Sequence, residues 1–501
     1  MIARHTLART ALVSAVALLA GAFAPPSPAA PDLPERMEGS TAPTPLAPDI
    51  GGFAGGAVLV DGNDADGKTE RAMRIYPSVS GYWLAGARSL GGSGYQAFIA
   101  SIGTDGTPNL GFGASGVLRA ALPFFPLDVA NKPNTNRFYY AGYYQTSPSA
   151  DFEFAVYCLE GTDGTPCSGF GSVTAGLEIY PIDNSGAHND FVSRIAYHGG
   201  RIYLVGTASA DSSDDDRDIA IAVADAETGQ LLPTFGNRPG RPGTMVFPID
   251  YVTGGTDLAH DVKVTDAGGP GGHRIYILGE TQRSTDGNDT DGIVLALNAD
   301  TGLLDTTFAN NGRRVVYADL GATVKKDELR AMTITRDGDI VFAGSSMDDN
   351  GYRYPLLSKS DIDGYSISGF CGNVNGTCAE PHALSTYQAA IGIAERSGTR
   401  DLVLLTAIKD DFSGGDGHYL TNVVQLGRNG SALHGLAFID TTGSGSVRRG
   451  TNPASLYIDS DNRVLVAATR TWSATPADYD MLLARFVDTD TIFADQFETV
   501  R

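Results

Sequence analysis

The sequence predicts an all-β protein, a seven-bladed β-propeller with four-stranded blades closed by an N-terminal strand. Three observations predict it. A unit of about sixty residues recurs seven times along the chain. Each unit offers short β-rich runs separated by Gly, Asp and Asn turns, and helical periodicity is absent. An open β-solenoid is the alternative, because weak repeats also stack linearly.

The second run of each unit ends in a small pair. In order these are Ala85-Gly86, Ala141-Gly142, Val205-Gly206, Leu278-Gly279, Ala343-Gly344, Leu405-Thr406 and Val466-Ala467. A third apolar run follows, as in Ile219-Ala220-Ile221-Ala222, and a turn glycine closes it: Gly106, Gly164, Gly229, Gly302, Gly364 or Gly430. Six residues later stands an aromatic anchor in five units: Phe112, Phe170, Phe235, Phe308 and Phe370. Leu436 takes that place in the sixth unit, and the seventh has no matching phenylalanine. A fourth run then opens, often on glycine, as in Gly116-Val117-Leu118.

The last unit reaches Arg501 without a fourth run, while residues 56–60 (GAVLV) precede the first unit as an orphan strand. Pairing the orphan with the last unit removes the open edge that a ring of incomplete blades would keep.

Outside the repeat, residues 1–29 read as a signal peptide. Arg4 and Arg9 lead an apolar run at Ala11–Ala24, followed by small-residue cleavage positions. That run is shorter than the ~20 residues a membrane span needs, although an uncleaved anchor is the competing reading. Residues 30–50 read as a proline-rich linker, 51–498 as the propeller domain and 499–501 as a tail. The formal charge of −22 repels phosphate backbones, which argues against nucleic-acid binding. Cys158 with Cys167 and Cys371 with Cys378 form two close pairs, read as disulfides of an exported chain. Zinc competes, but neither pair has thiolate-site spacing.

The run Asp218-Ile219-Ala220-Ile221-Ala222 and the turn Phe112-Gly113-Ala114-Ser115-Gly116 carry a pattern that resembles the bacterial delta-60 repeat. The likeness spans nearly the whole mature chain. It departs at Cys371, directly after the fifth anchor, and in the last two units. It implies a β-rich exported protein with no shared catalytic residues. The closing Ile492–Glu498 also resembles a short tail on many exported bacterial proteins.

Motifs that carry chemistry are few. Gly111-x-Gly113-x-x-Gly116 matches a dinucleotide fingerprint in letters, but a strand follows where a helix must begin to hold phosphate. No nucleophile elbow, H-E-x-x-H or phosphate loop occurs. The histidines, among them His188, His198, His260, His273 and His382, show no local metal-ligand pairing. Aspartate-rich loops (61–67, 211–218, 286–291, 409–419) offer oxygen to calcium, though none has EF-hand spacing.

The starts of the first runs ring one mouth of a propeller channel, and Glu70, Asp128, Asp190, Asp261 and Glu328 fall there, with His188 and His260 nearby. This set predicts a cation or cationic-ligand site, with calcium the candidate divalent cation, against the plainer reading that each acid caps a turn or meets an arginine such as Arg71, Arg194 or Arg330. The predicted function is a non-enzymatic, monomeric binding module, secreted or periplasmic, for an extracellular protein or glycan. The tyrosines of 139–144 and 352–354 are candidate contacts, or pack between blades. A metal-assisted hydrolase or lyase at the channel mouth and a cell-envelope structural component are the alternatives.

Overall fold

The computed structural model describes residues 46–60, 69–91, 94–120, 124–147, 150–183, 188–211, 215–236, 238–266, 273–379, 387–409, 419–438, 449–472 and 479–488. The signal peptide, most of the linker, the tail, His382 and the 61–67 loop lie outside them, as does most of the 409–419 loop.

The strands run in chain order. They open with β1 (Leu46–Pro48) and β2 (Ala57–Val60), then β3 (Glu70–Ser78), β4 (Gly81–Gly91), β5 (Gly94–Gly103) and β6 (Val117–Arg119). The second repeat gives β7 (Phe125–Asn131), β8 (Arg137–Tyr144), β9 (Glu153–Glu160) and β10 (Leu177–Tyr180). The third gives β11 (Asp190–His198), β12 (Arg201–Ser209), β13 (Arg217–Asp225) and β14 (Thr244–Phe247). The fourth gives β15 (Asp257–Thr265), β16 (Arg274–Gln282), β17 (Asp289–Asn298) and β18 (Arg313–Val316). The fifth gives β19 (Lys325–Ile334), β20 (Ile340–Met347), β21 (Arg353–Ser360) and β22 (Thr377–Ala379). The sixth gives β23 (Gln388–Glu395), β24 (Leu402–Lys409), β25 (Tyr419–Leu426) and β26 (Ala432–Phe438). Last come β27 (Arg449–Ile458), β28 (Val464–Trp472) and β29 (Tyr479–Asp488). Among the described residues the only helical turns are two short 3-10 pieces, Ala54–Gly56 and Phe370–Gly372.

The arrangement is an all-β propeller, but hydrogen bonding does not separate seven sheets as the sequence predicts. Five sheets stand as single blades on a four-stranded path, and a sixth holds eight strands. The merger has a local cause: Asp289 and Thr290 of β17 pair in parallel with Lys325 and Lys326 of β19. Each hydrophobic cluster spans two successive antiparallel meanders. One of them joins first to last, packing Leu84 and Phe98 against Leu465 and Leu483.

At the ends of the chain, β2 pairs antiparallel with β29, from Ala57 against Ala484 to Val60 against Met481. β1 continues along the same edge, with Leu46 opposite Asp488. Residues 46–48, read as linker, are thus a strand. A proline-rich stretch is already extended, and an edge tolerates Pro48. Arg485 holds this segment, bonding Asp49 through Nε at 2.8 Å and lying 4.6 Å from the Phe53 ring centroid.

The glycine-to-phenylalanine offset now has a physical account. A Cβ on Gly229, Gly302, Gly364 or Gly430 would meet the ring of Phe170, Phe235, Phe308 or Phe370, the anchor of the preceding repeat. The residue after each of these four anchors donates its N–H to the carbonyl just before that glycine, as Gly171 does to Thr228 and Gly236 to Thr301, whereas Gly164 meets Leu118 in place of Phe112. Positive φ and ring contact both demand glycine. Phe53 meets Gly106 in the same way, and Ala54 donates to Asp105. The phenylalanine missing from the seventh repeat is therefore supplied with β2, ahead of the first.

The cysteine pairs lie at disulfide distance, with Cα–Cα separations of 5.4 Å for Cys158–Cys167 and 6.0 Å for Cys371–Cys378. No helix among the described residues is long and apolar enough to cross a membrane. Tyr139 and Tyr140 are fully buried and donate to the carbonyls of Ala226 and Phe98, so they pack between blades.

Candidate functional site

The first strand of every repeat carries a bulge at the same place. Its register with the second strand slips at Ala72/Arg74, Pro126/Asp128, Val192/Arg194, Ala259/Asp261, Leu329/Ala331, Ala390/Gly392 and Pro453/Ser455. A bulge kinks the strand and re-aims the side chain that follows it. It also explains the small pairs: a Cβ on Gly206 would stand 2.0 Å from the Phe191 carbonyl oxygen, and one on Gly344 1.8 Å from that of Glu328. In the seventh repeat the residue opposite the bulge is Ala468, one position beyond the Val466-Ala467 pair read from sequence.

Arg74, Arg194, Asp261, Ala331, Gly392 and Ser455, all immediately after a bulge, line a cavity of about 60 Å³. Asp128 holds the same position and accepts from Arg74 at 2.8 and 3.2 Å and from the Ile195 N–H at 3.1 Å. Four successive repeats thus place Arg, Asp, Arg and Asp around the axis, and the next three place Ala, Gly and Ser. Burial pushes the Asp128 carboxyl up, but Arg74 and Arg194 outweigh it and hold it below the usual carboxylate range.

The five acids predicted as a cation set occupy three different positions. Asp128 and Asp261 are axial. Glu70 and Asp190 stand at the heads of β3 and β11, two residues before the slip. There Glu70 meets Arg88 at 3.0 Å, both buried. Asp190 accepts from the N–H groups of Ile182 and Asp183, clamping the connection from the previous blade. Asp257 and Asp327 repeat that clamp on Ile249 and Ala318. Burial pushes Asp190 up, and Asp257 up to about 6, despite these donors.

Glu328, one residue past a clamp, turns into a separate cleft of about 240 Å³ between the fourth and fifth repeats. Glu280, Gln282, Lys326, Arg330 and Arg353 line it with Glu328. Burial pushes the Glu328 carboxyl up, but Arg330 and Arg353 outweigh it and bring it down to about 2. Arg353 bonds both Glu328 and Ser345 at 2.8 Å. His260 lies 3.3 Å from Glu280 Oε1 through Nε2 and 3.3 Å from Arg330 Nη1 through Nδ1. An arginine can only donate, so Nδ1 accepts and Nε2 carries the proton given to Glu280. His260, Glu280 and Glu328 are close enough to share a cation, and Glu328 alone of the five predicted acids joins such a group among the described residues.

Sequence reading missed Glu280 and Arg353. The signal lay in the second and third strands, since Glu280 directly follows the Leu278-Gly279 pair and Arg353 opens β21, so both come out at the mouth. In the 286–291 loop Asp286 takes the hydroxyl of Ser284 and the N–H of Asn288, and Asp291 pairs with Arg283 at 3.0 Å; Asp289 and Asp291 also lie close enough to Asp319 to share a cation, as Asp216 and Asp218 of the 211–218 loop do with Asp250.

No protein-family model and no curated protein matches the chain. Among solved structures it is similar to the tricorn protease, at 10% identity and a TM-score of 0.40, over 83% of this chain and 35% of that one. It therefore spans about a third of that protein's length. It is also similar to a glucose dehydrogenase (9% identity, TM-score 0.35, 72% of this chain and 96% of that one). A third is the GH43 endo-arabinanase from Bacillus licheniformis, at 11% identity and a TM-score of 0.28, over 59% of this chain and 92% of that one.

Proposed function

We propose that this chain is an exported, non-enzymatic propeller of seven delta-60-type repeats, a monomer that binds an uncharged polar ligand, a glycan, in the cleft between the fourth and fifth repeats. The cleft carries the reading. Lys326, Arg330 and Arg353 balance Glu280, Asp327 and Glu328 there, and Gln282, Thr256 and Thr290 add donors and acceptors. Such a lining suits hydroxyl groups better than a strong ion, and its supporting side chains are fixed by Ser345 and His260. The leader-like start and the paired cysteines support export. Counting the eight-stranded sheet as two blades, with β2 completing the last, supports a closed ring of seven.

A glycan array followed by calorimetry tests the reading. A hit should weaken at least tenfold in Glu280→Ala and Gln282→Ala but not in Asp128→Asn. Binding unaffected by the cleft variants would overturn it. The His260, Glu280 and Glu328 group favours a second reading, a metal-assisted hydrolase. Divalent-metal-dependent cleavage of the bound glycan, lost in His260→Ala, would select it instead.

A further inference from the structure

Two histidines and an aspartate from two successive repeats meet at the opposite end of the strands from the mouth. His198 ends β11 of the third repeat; Asp266 follows β15 and His273 precedes β16 in the fourth. One oxygen, Asp266 Oδ1, lies 2.6 Å from His198 Nε2 and 2.9 Å from His273 Nδ1. The three atoms lie within 4.8 Å of one another. We propose that His198, Asp266 and His273 form a binding site for a late first-row divalent cation, zinc in particular, that staples the third repeat to the fourth.

The donor set makes the choice of ion. Two imidazoles and one carboxylate suit zinc and its neighbours, whereas calcium and magnesium want oxygen alone. Without an ion, two imidazole N–H groups converge on one carboxylate oxygen, and an ion bound by all three replaces both protons. The placement favours access. The side chains of His198, His273 and Asp266 keep 28%, 48% and 70% of their surface, and a cavity of about 320 Å³ opens beside them. Three protein ligands leave a coordination position facing that cavity for water or a small anion, with Arg201 and Asp300 on its wall. The site is distinct from the mouth cleft, so its failure leaves the glycan reading standing, and the reverse holds too.

The test uses the full chain stripped with a chelator, titrated with Zn²⁺ by calorimetry and with Co²⁺ by visible absorbance. One equivalent should bind at pH 7.5, with cobalt d–d bands of a low-coordinate site and a rise in melting temperature. His198→Ala and His273→Ala should each lower affinity by more than the roughly 10–100-fold typical of losing an outer-shell partner. His260→Ala at the mouth should leave it unchanged. All three variants are checked for unchanged circular dichroism. Absence of a one-equivalent site, or a site that survives both His198→Ala and His273→Ala, overturns the proposal.

Discussion

The two sides of the axial ring use the same backbone device for opposite ends. From Arg74 to Asp261 the bulge aims alternating charges at the axis, and each acid faces an arginine. From Ala331 to Ser455 it aims side chains too small to reach across. The heads of the first strands divide differently: Glu70, Asp190, Asp257 and Asp327 are acids whereas Phe124, Gln388 and Thr451 are not, so the fifth repeat keeps an acid at its head beside a small axial residue. A fixed bulge therefore sets where a side chain points, and the residue placed there decides whether the contact between repeats is ionic or merely steric. The uncharged side also holds the chain ends, where β2, Phe53 and the Arg485–Asp49 pair join the last repeat to the first, and its ion pairs, such as Arg396 with Asp488, are made outside the axial position.

Breaking the uncharged side at its closing joint should have the largest effect. Phe53 is fully buried, and truncating a buried phenylalanine costs ~3–5 kcal/mol. Deleting residues 46–60 removes that ring, uncovers the β29 edge and strips Arg485 of Asp49, so the loss should exceed Phe53→Ala alone. Thermal melts and size-exclusion chromatography of the deletion should show a lower melting temperature and self-association through the bared edge. A deletion that melts like the parent would mean that the ring does not close through this segment.

The charged side should break next. Asp128→Asn leaves Arg74 and Arg194 facing each other with no nearby acid but Asp261. Breaking a buried pair costs ~3–5 kcal/mol, and the partial exposure of Arg74 puts this one near the lower end. Urea denaturation measures it. A double variant that also carries Arg74→Met should recover part of the loss, because no unpaired charge then remains on that side. Equal losses in single and double variants would show that leaving Arg74 without its acid costs nothing, which would overturn the ionic account of this side.

How much of this could be read from sequence depends on range. The repeat, its four strands, the disulfide pairs and the orphan strand are local patterns, and they survive into the structure at Gly229, Phe170, Cys158 and Val58. The axial ring was half legible: Asp128 and Asp261 stand out as acids and Arg194 as an arginine they could meet, but nothing in the sequence singles out Arg74, which holds the same repeat position. Nothing local marks a bulge, so Asp190 and Asp261 could not be told apart as clamp and axial residue. The cleft and the His198 cluster draw on repeats three to five and exist only once blades pack. The merged sheet depends on a two-residue parallel contact at Asp289 and Thr290, which has no periodic signature.

Acid and base act on these buried acids in opposite senses. Burial raises Asp257 to about 6 and Asp291 to about 7 from an unfolded value of 3.8, and it raises Asp327 as well. The folded chain then holds protons that the unfolded chain releases. Their contribution is complete below about pH 3.8 and is lost as pH rises through 6 and 7. Asp128 and Glu328 act in the opposite sense, being lowered, and lose their contribution as pH falls toward 2. Stability should therefore be highest in mildly acid solution and decline toward pH 8. Asp257→Asn should flatten that decline, whereas Gln388→Glu should steepen it by giving the sixth repeat a titrating head. Melting temperatures between pH 4 and 8 decide this, and parallel profiles for all three proteins would remove the clamp from the account.

The smallest effect is the sharpest check on the uncharged side. A Cβ added to Gly392 would meet Leu456 Cβ at 3.4 Å and Leu405 Cβ at 3.5 Å, ordinary contact distances. Arg74, Arg194 and Asp261 line the same cavity, but the near contacts of the added methyl group are Leu456 and Leu405. Gly392→Ala should change stability by less than ~0.5 kcal/mol, with any gain coming from the unfolded chain. An alanine at Gly344, on the second strand opposite the fifth bulge, instead puts a Cβ 1.8 Å from the Glu328 carbonyl and must force that bulge open. If both substitutions proved equally damaging, the small residues at Ala331, Gly392 and Ser455 would be packed as tightly as the ion pairs opposite. The division of the ring into ionic and steric sides would then be one of composition alone.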